Sequence, residues 1–224
     1  VMSSVAINTR NGRLLDTNLA YADLKNAVLR KVDLSDVDLY MAEAASADLT
    51  HARFLRADLS SADLSWASLV HANFTDAFLL DTNLCGADLS EAVLDQANLM
   101  HADLSWARME RLQAVDTCFS HVNFHKAVLC RANLLRANLC RTNLSNANLS
   151  NANLSEVNAY QASLQNAILR DANLVRANLT NANLAGADLT GANLEDAILI
   201  GSNLSWAKLV RANLRGCILN GAIL

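Results

Sequence analysis

Proline does not occur once in the 224 residues, and glycine occurs only seven times. A chain without proline keeps every backbone N–H as a donor, which suits a wall that is hydrogen-bonded throughout. No apolar run approaches the roughly 18 residues of a membrane-spanning helix, although 52% of the residues are hydrophobic. The start, Val1-Met2-Ser3-Ser4, lacks the basic stretch and apolar segment of a secretory signal. There is no glycine-rich phosphate loop, no nucleophile elbow and no His-Glu-x-x-His. Aromatic residues make up 5% of the chain and do not interleave with basic ones, so nucleic-acid binding is not favoured. The five cysteines, Cys85, Cys118, Cys130, Cys140 and Cys217, share no common spacing. They read as free thiols of a reducing, cytoplasmic compartment. Membrane association would need parts of a longer protein.

What is present is a leucine, or a close substitute, at nearly every position whose number ends in 4 or 9, from Leu14 to Leu224. Two residues earlier sits a small apolar residue, mostly alanine, and between them Asp or Asn, as in Ala57-Asp58-Leu59 and Ala132-Asn133-Leu134. A period of five is not helical: at about 100° per residue the leucines would precess by about 140° per copy and form no stripe. Nor does it suit a flat strand, whose side chains alternate with period two. The conflict disappears if the chain turns one corner per copy. Alanine and leucine then point inward, Asp/Asn points outward, and the two residues after leucine form the corner. Corners that always turn the same way close a coil, and stacked coils make a solenoid.

The tryptophans suggest the coil length. Trp66, Trp106 and Trp206 are separated by multiples of twenty, and Phe54/Phe74, His51/His71, His101/His121 and Arg111/Arg131 are each twenty apart. Four five-residue copies per coil would stack all of them. Six of the glycines, from Gly86 to Gly221, share the last corner position, where a turn can ask for positive φ.

The repeated Ala-(Asp/Asn)-Leu-x-x resembles the pentapeptide repeat proteins over nearly the whole chain. The resemblance implies an all-β right-handed quadrilateral parallel β-helix of about eleven coils. Residues 1–13 are expected to be a lead-in or cap, and 14–224 a single β-helix. Two places exchange inward volumes: Leu112 with Ala114, and Val157 with Ala159. Around the first, with Met109, Cys118 and Phe119, a distorted coil is expected.

Net charge is −4 but uneven: residues 1–112 hold 9 Lys+Arg against 16 Asp+Glu, and residues 113–224 hold 9 against 6. The acidic half could meet a basic partner. The paired histidines are too few for a zinc site, and aspartates on a convex wall make poor acid–base pairs. Neither enzymatic activity, a cofactor nor a metal is expected. The wall carrying Leu19, Leu39 and Leu59 has the most apolar exterior. Tyr40, Phe78, Leu80, Met100, Tyr160, Ile198 and Ile200 are its candidate partner surface. Trp66 and Trp106, straddling Gly86 with room between the rings, are a second candidate. Ile218, Leu219, Ile223 and Leu224 form a candidate edge for end-to-end self-association.

The expected function is a non-enzymatic interaction or scaffold module whose partner is another protein, carried within a larger bacterial protein. The resemblance implies a cyanobacterial setting, with heterocyst glycolipid deposition or regulation as the process. The alternative it implies is a DNA mimic that binds DNA gyrase and protects it from quinolones. At the level of single residues, Leu144→Ala is expected to be costly and Asn146→Ala nearly neutral.

Overall fold

The computed structural model describes residues 18–224 in full, together with the backbone of two short strands. These are β1 (Thr9–Arg10) and β2 (Arg13–Leu14), an antiparallel pair with Thr9 opposite Leu14 and Arg10 opposite Arg13. Apart from that pair, the expected lead-in over residues 1–13 lies outside the described residues.

From Asn18 onward every Asp/Asn position forms a parallel bridge to the residue twenty further on, from Asn18 with Asp38 to Asn203 with Ile223. One coil is therefore four five-residue copies. Side chains obey the same spacing. The Phe54 and Phe74 rings stack with centroids 4.6 Å apart, His51 and His71 likewise at 4.6 Å, and His101 and His121 at 4.9 Å. These are the separations of neighbouring strands.

Each copy uses its backbone groups in a fixed way. The leucine N–H donates to the carbonyl nineteen residues on, as Leu64 does to Asn83 at 2.7 Å. The Asp/Asn N–H donates back to the previous coil, as Asp63 does to Ala42 at 2.9 Å. The alanine N–H closes the corner on the preceding leucine carbonyl, as Ala67 does on Leu64 at 3.1 Å. With the backbone N–H groups committed in this way, a proline would remove a bond that the wall uses.

The interior is a stack of Leu over Leu and Ala over Ala, nearly all buried. At a full leucine, such burial contributes roughly 2 kcal/mol. The polar residues at inward small positions are satisfied on the spot: Thr82 Oγ1 donates to the Leu59 carbonyl at 2.9 Å and Thr117 Oγ1 to that of Leu94 at 2.7 Å. The expected distortion near Leu112 is confined to one corner, where Thr117 N–H does not reach the Ala114 carbonyl and Val115 N–H donates to Asp95 Oδ1 of the previous coil at 2.8 Å. The bridges run straight through Gln113–Asn133 and Cys118–Asn138, and both Leu112 and Ala114 are fully buried. Exchanging a large and a small side chain conserves volume, so the ladder needs no bulge.

Candidate interaction surfaces

The corners set what the rod shows to solvent. Among the described residues the second corner residue always has positive φ, at glycines such as Gly86 (67°) and equally at Tyr21 (60°), Trp66 (59°) and Arg131 (60°). That is the type II position i+2. Side chains at these positions project from the edges in straight columns.

The Asp/Asn residue sets up this turn. Its Oδ1 accepts the N–H two residues on, as Asp58 does from Ser60 at 2.9 Å and Asn143 from Ser145 at 3.1 Å. At many places where Asn follows Asp or Asn in the next coil, the amide also donates along the wall: Asn83 Nδ2 to Asp63 at 3.0 Å, Asn143 Nδ2 to Asn123 at 2.9 Å. Stacked carboxylates repel, whereas stacked amides bond. Sequence reasoning placed these residues outward and missed the turn bond, although Asp or Asn two residues before a turn donor is its usual signal.

The wall of Leu19, Leu39 and Leu59 carries the expected apolar strip. Tyr40, Phe78, Leu80 and Ile200 are exposed, Phe78 at 53%. Met100, Tyr160 and Ile198 are half-buried in the same wall, except that Ile198 bridges Asn178 and Ile218 through its backbone. Tyr21 and Met41 extend the strip onto the adjoining corner, and the Tyr21 and Tyr40 rings meet edge to face at 5.8 Å.

Trp66, Trp106 and Trp206 share one corner, as expected, but the room at Gly86 is taken by the Trp66 ring. The Trp66 ring lies over Gly86, so close that a Cβ there would sit 2.5 Å from ring carbon Cε3. Trp106 is engaged in turn by the Lys126 ammonium, 4.1 Å from its ring centre, and by His125. Glycine at 86 therefore serves the ring above it as well as the turn. Of the candidate edge residues, Ile218, Ile223 and Leu224 are exposed and Leu219 is partly buried.

Among the described residues no group of three or more His, Cys, Asp or Glu is placed to hold a metal ion. Nor, among the described residues, is any helix long and apolar enough to cross a membrane. A shallow furrow of about 270 Å³ is lined by Glu110, Arg111, Cys130, Arg131, Ser150 and Asn151. Burial, and then the Glu110 charge, push the Cys130 thiol up, so it is a poor nucleophile. All five cysteines are free.

The family model for pentapeptide repeats matches residues 13–42, 42–76, 79–111, 117–158, 160–196 and 187–224, in eight copies. The chain belongs to the pentapeptide repeat family. Among solved structures it is similar to HetL, a pentapeptide repeat protein involved in heterocyst differentiation regulation from the cyanobacterium Nostoc. The two are 34% identical over 87% of this chain and 90% of HetL, with a TM-score of 0.69. QnrB1, a plasmid-mediated fluoroquinolone resistance protein, is 16% identical over 71% of this chain and 87% of its own, with a TM-score of 0.52. That likeness is one of fold alone. No curated protein matches the chain in sequence. The twenty-residue coil is accordingly the right-handed quadrilateral β-helix of this pentapeptide repeat family.

Proposed function

We propose that the chain is a non-enzymatic protein-interaction module, a rigid rod of about eleven coils formed by residues 14–224. The observation that carries the proposal is the exposed apolar strip on one wall, from Tyr40 through Phe78 and Leu80 to Ile200. Aromatic and aliphatic side chains on a preorganised scaffold bind with little ordering cost. The process that fits best is regulation within heterocyst differentiation, because the likeness to HetL is 34% and spans most of both chains.

The test is a photo-crosslinking amino acid placed at Phe78 or Ile200, with the opposite wall probed at Asn148, in lysate of the native organism. Discrete adducts from the first two positions alone are expected. Equal labelling from all three, or none, overturns the proposal. A second reading, a DNA mimic acting on gyrase, draws on the acidic half of the chain. It requires inhibition or protection of gyrase supercoiling at micromolar protein, and lack of either sinks it.

A further inference from the structure

Acidic residues are treated differently on different walls. On the walls of Leu29 and Leu34 and their corners many of the described ones are paired, Asp36 with Arg56, Asp48 with Arg30, Glu91 with Arg111, Asp116 with Arg136 and Asp188 with Arg170, while Asp76, Asp95, Glu110, Glu156, Asp171 and Asp196 are in no ion pair among the described residues. On the walls of Leu19 and Leu24, among the described residues, Glu43 alone is paired. Among the described residues, Asp38, Asp58, Asp63, Asp81 and Asp103 take part in no ion pair. Lys25 is, among the described residues, the one Lys or Arg on these two walls in the first five coils, and Glu43 holds it, with Asp23 and Asp63 acting on it from further away.

The fold does not require these charges. Asp38 and Asp58 use Oδ1 to close a turn onto the N–H groups of Tyr40 and Ser60. Further along the same wall Asn138 does this for Cys140 at 3.1 Å. On the next wall Asp63 serves Ser65 at 3.0 Å, and Asn143 serves Ser145 at 3.1 Å. Asparagine thus performs the structural task without stacking like charges. The same coils carry the largest share of exposed apolar side chains on this surface: Tyr21, Tyr40, Met41, Phe78 and Leu80. The bridges order them, with Asp38, Asp58 and Phe78 in one column, and Asp23, Glu43 and Asp63 in the parallel column across the corner. Aromatic and aliphatic groups lie between two rows of carboxylates.

We infer that this surface docks a cationic amphipathic segment of a partner protein, its Lys or Arg side chains reaching the two carboxylate rows and its apolar side chains covering Met41, Phe78 and Leu80. The inference rests on the protein-interaction reading above and names the chemistry of the partner. Four coil spacings make the patch roughly 20 Å long, the reach of about six residues of extended chain. Opposite charge around an apolar centre steers encounter and suppresses wrong partners. Anionic lipid or nucleic acid would be repelled by the same rows.

The test uses the whole chain and a short synthetic peptide alternating Lys and Leu, with a Glu–Leu peptide and oligolysine of equal length as controls. Binding is followed by fluorescence anisotropy. The Lys–Leu peptide is expected to bind at least tenfold more tightly than either control and to weaken as salt is raised. The triple variant Asp58→Asn, Asp63→Asn and Asp81→Asn, whose thermal midpoint should match the native one, is expected to lose at least tenfold. Phe78→Asn combined with Leu80→Ser should lose as much. Unchanged binding by either variant overturns the inference, as does a Glu–Leu peptide or oligolysine that binds equally well. Crosslinks from Ile200 without peptide binding would leave the interaction module standing and remove the basic partner. Salt-sensitive dimerisation abolished by the triple variant would replace the partner with a second copy.

Discussion

Among the described residues thirty-five other than glycine adopt a left-handed backbone, one at nearly every corner. Each such residue is disfavoured by about 1–2 kcal/mol, and the fold tolerates it because the corner amide bonds to the next coil, as Arg131 does to Ser150 at 3.0 Å. This revises the sequence-based expectation for Asn146. At φ 59° asparagine is among the better-tolerated side chains, so Asn146→Ala should cost about 1 kcal/mol rather than almost nothing. Leu144→Ala, in the core ladder, should cost about 2–5 kcal/mol. Ser61→Gly, at φ 58° and exposed, should be neutral or stabilise by up to about 1 kcal/mol, since relief of the left-handed penalty outweighs the entropy of glycine. Urea midpoints of the three variants decide this. A strongly destabilised Ser61→Gly would contradict the account of the corners. A second residue-scale effect is one of pH. Hydrogen bonding by Thr190, and then by Arg170, holds the Asp188 carboxyl down at about 2, against its burial. A depressed native pKa contributes stability that is full above the unfolded value of about 4 and is lost as pH falls from there towards 2. Denaturation midpoints measured across that range should fall, and less steeply in Asp188→Asn. Identical slopes would show that other carboxylates carry the dependence.

At the scale of one coil, most of the architecture was legible because a single constraint governs it. Inward pairs such as Ala57 and Leu59, outward Asp58, and aligned Trp or Phe pairs follow from a repeat of five and a coil of twenty. What was not legible depends on where atoms end up between coils. The Trp66 ring folding onto Gly86 is a choice of rotamer. The unequal pairing of carboxylates depends on which arginines reach across eighteen or twenty residues, as Arg170 reaches Asp188 and Arg56 reaches Asp36. One feature was available and overlooked. Ala44 occupies a leucine site, yet its inward neighbour Ala42 is not enlarged, unlike Leu112 beside Ala114. A void of about 10 Å³ is lined there by Leu24, Ala42, Ala44, Ala62 and Leu64, among others. It is apolar and at the lower limit for a water molecule. Ala44→Leu should restore the column between Leu24 and Leu64 and stabilise by about 0.5–2 kcal/mol. A lower thermal midpoint would mean that the coil has already closed around the alanine.

At the scale of the whole molecule, each coil touches only its neighbours, so stability is a sum along a line and is weakest where a coil has one neighbour. In the 224-residue chain the coil closing at Leu224 shows this: the inward residues Leu209, Leu214 and Leu219 are only partly buried, whereas Leu129 and Leu189 are completely so. Its side chains Ile218, Ile223 and Leu224 are exposed, Leu224 at 77%. An apolar strand edge templates pairing, and two such ends meeting about a two-fold axis satisfy each other. We propose that the 224-residue chain associates end to end through this coil, with backbone ladders continuing across the junction. A monomer would be a rod of roughly 50 Å, and the dimer around 100 Å by the same coil spacing. Small-angle scattering at rising concentration should reach the longer dimension, and Ile223→Lys should hold the shorter one, since a charge at the junction of two identical ends faces its own copy. The variant must keep its far-ultraviolet circular dichroism, because Ile223 bridges Asn203 and a frayed coil would also block pairing. Native protein that stays at the monomer length at high micromolar concentration defeats the proposal, whatever the variant does. A dimer that persists in Ile223→Lys but is lost on Phe78→Asn would move the contact to the side wall.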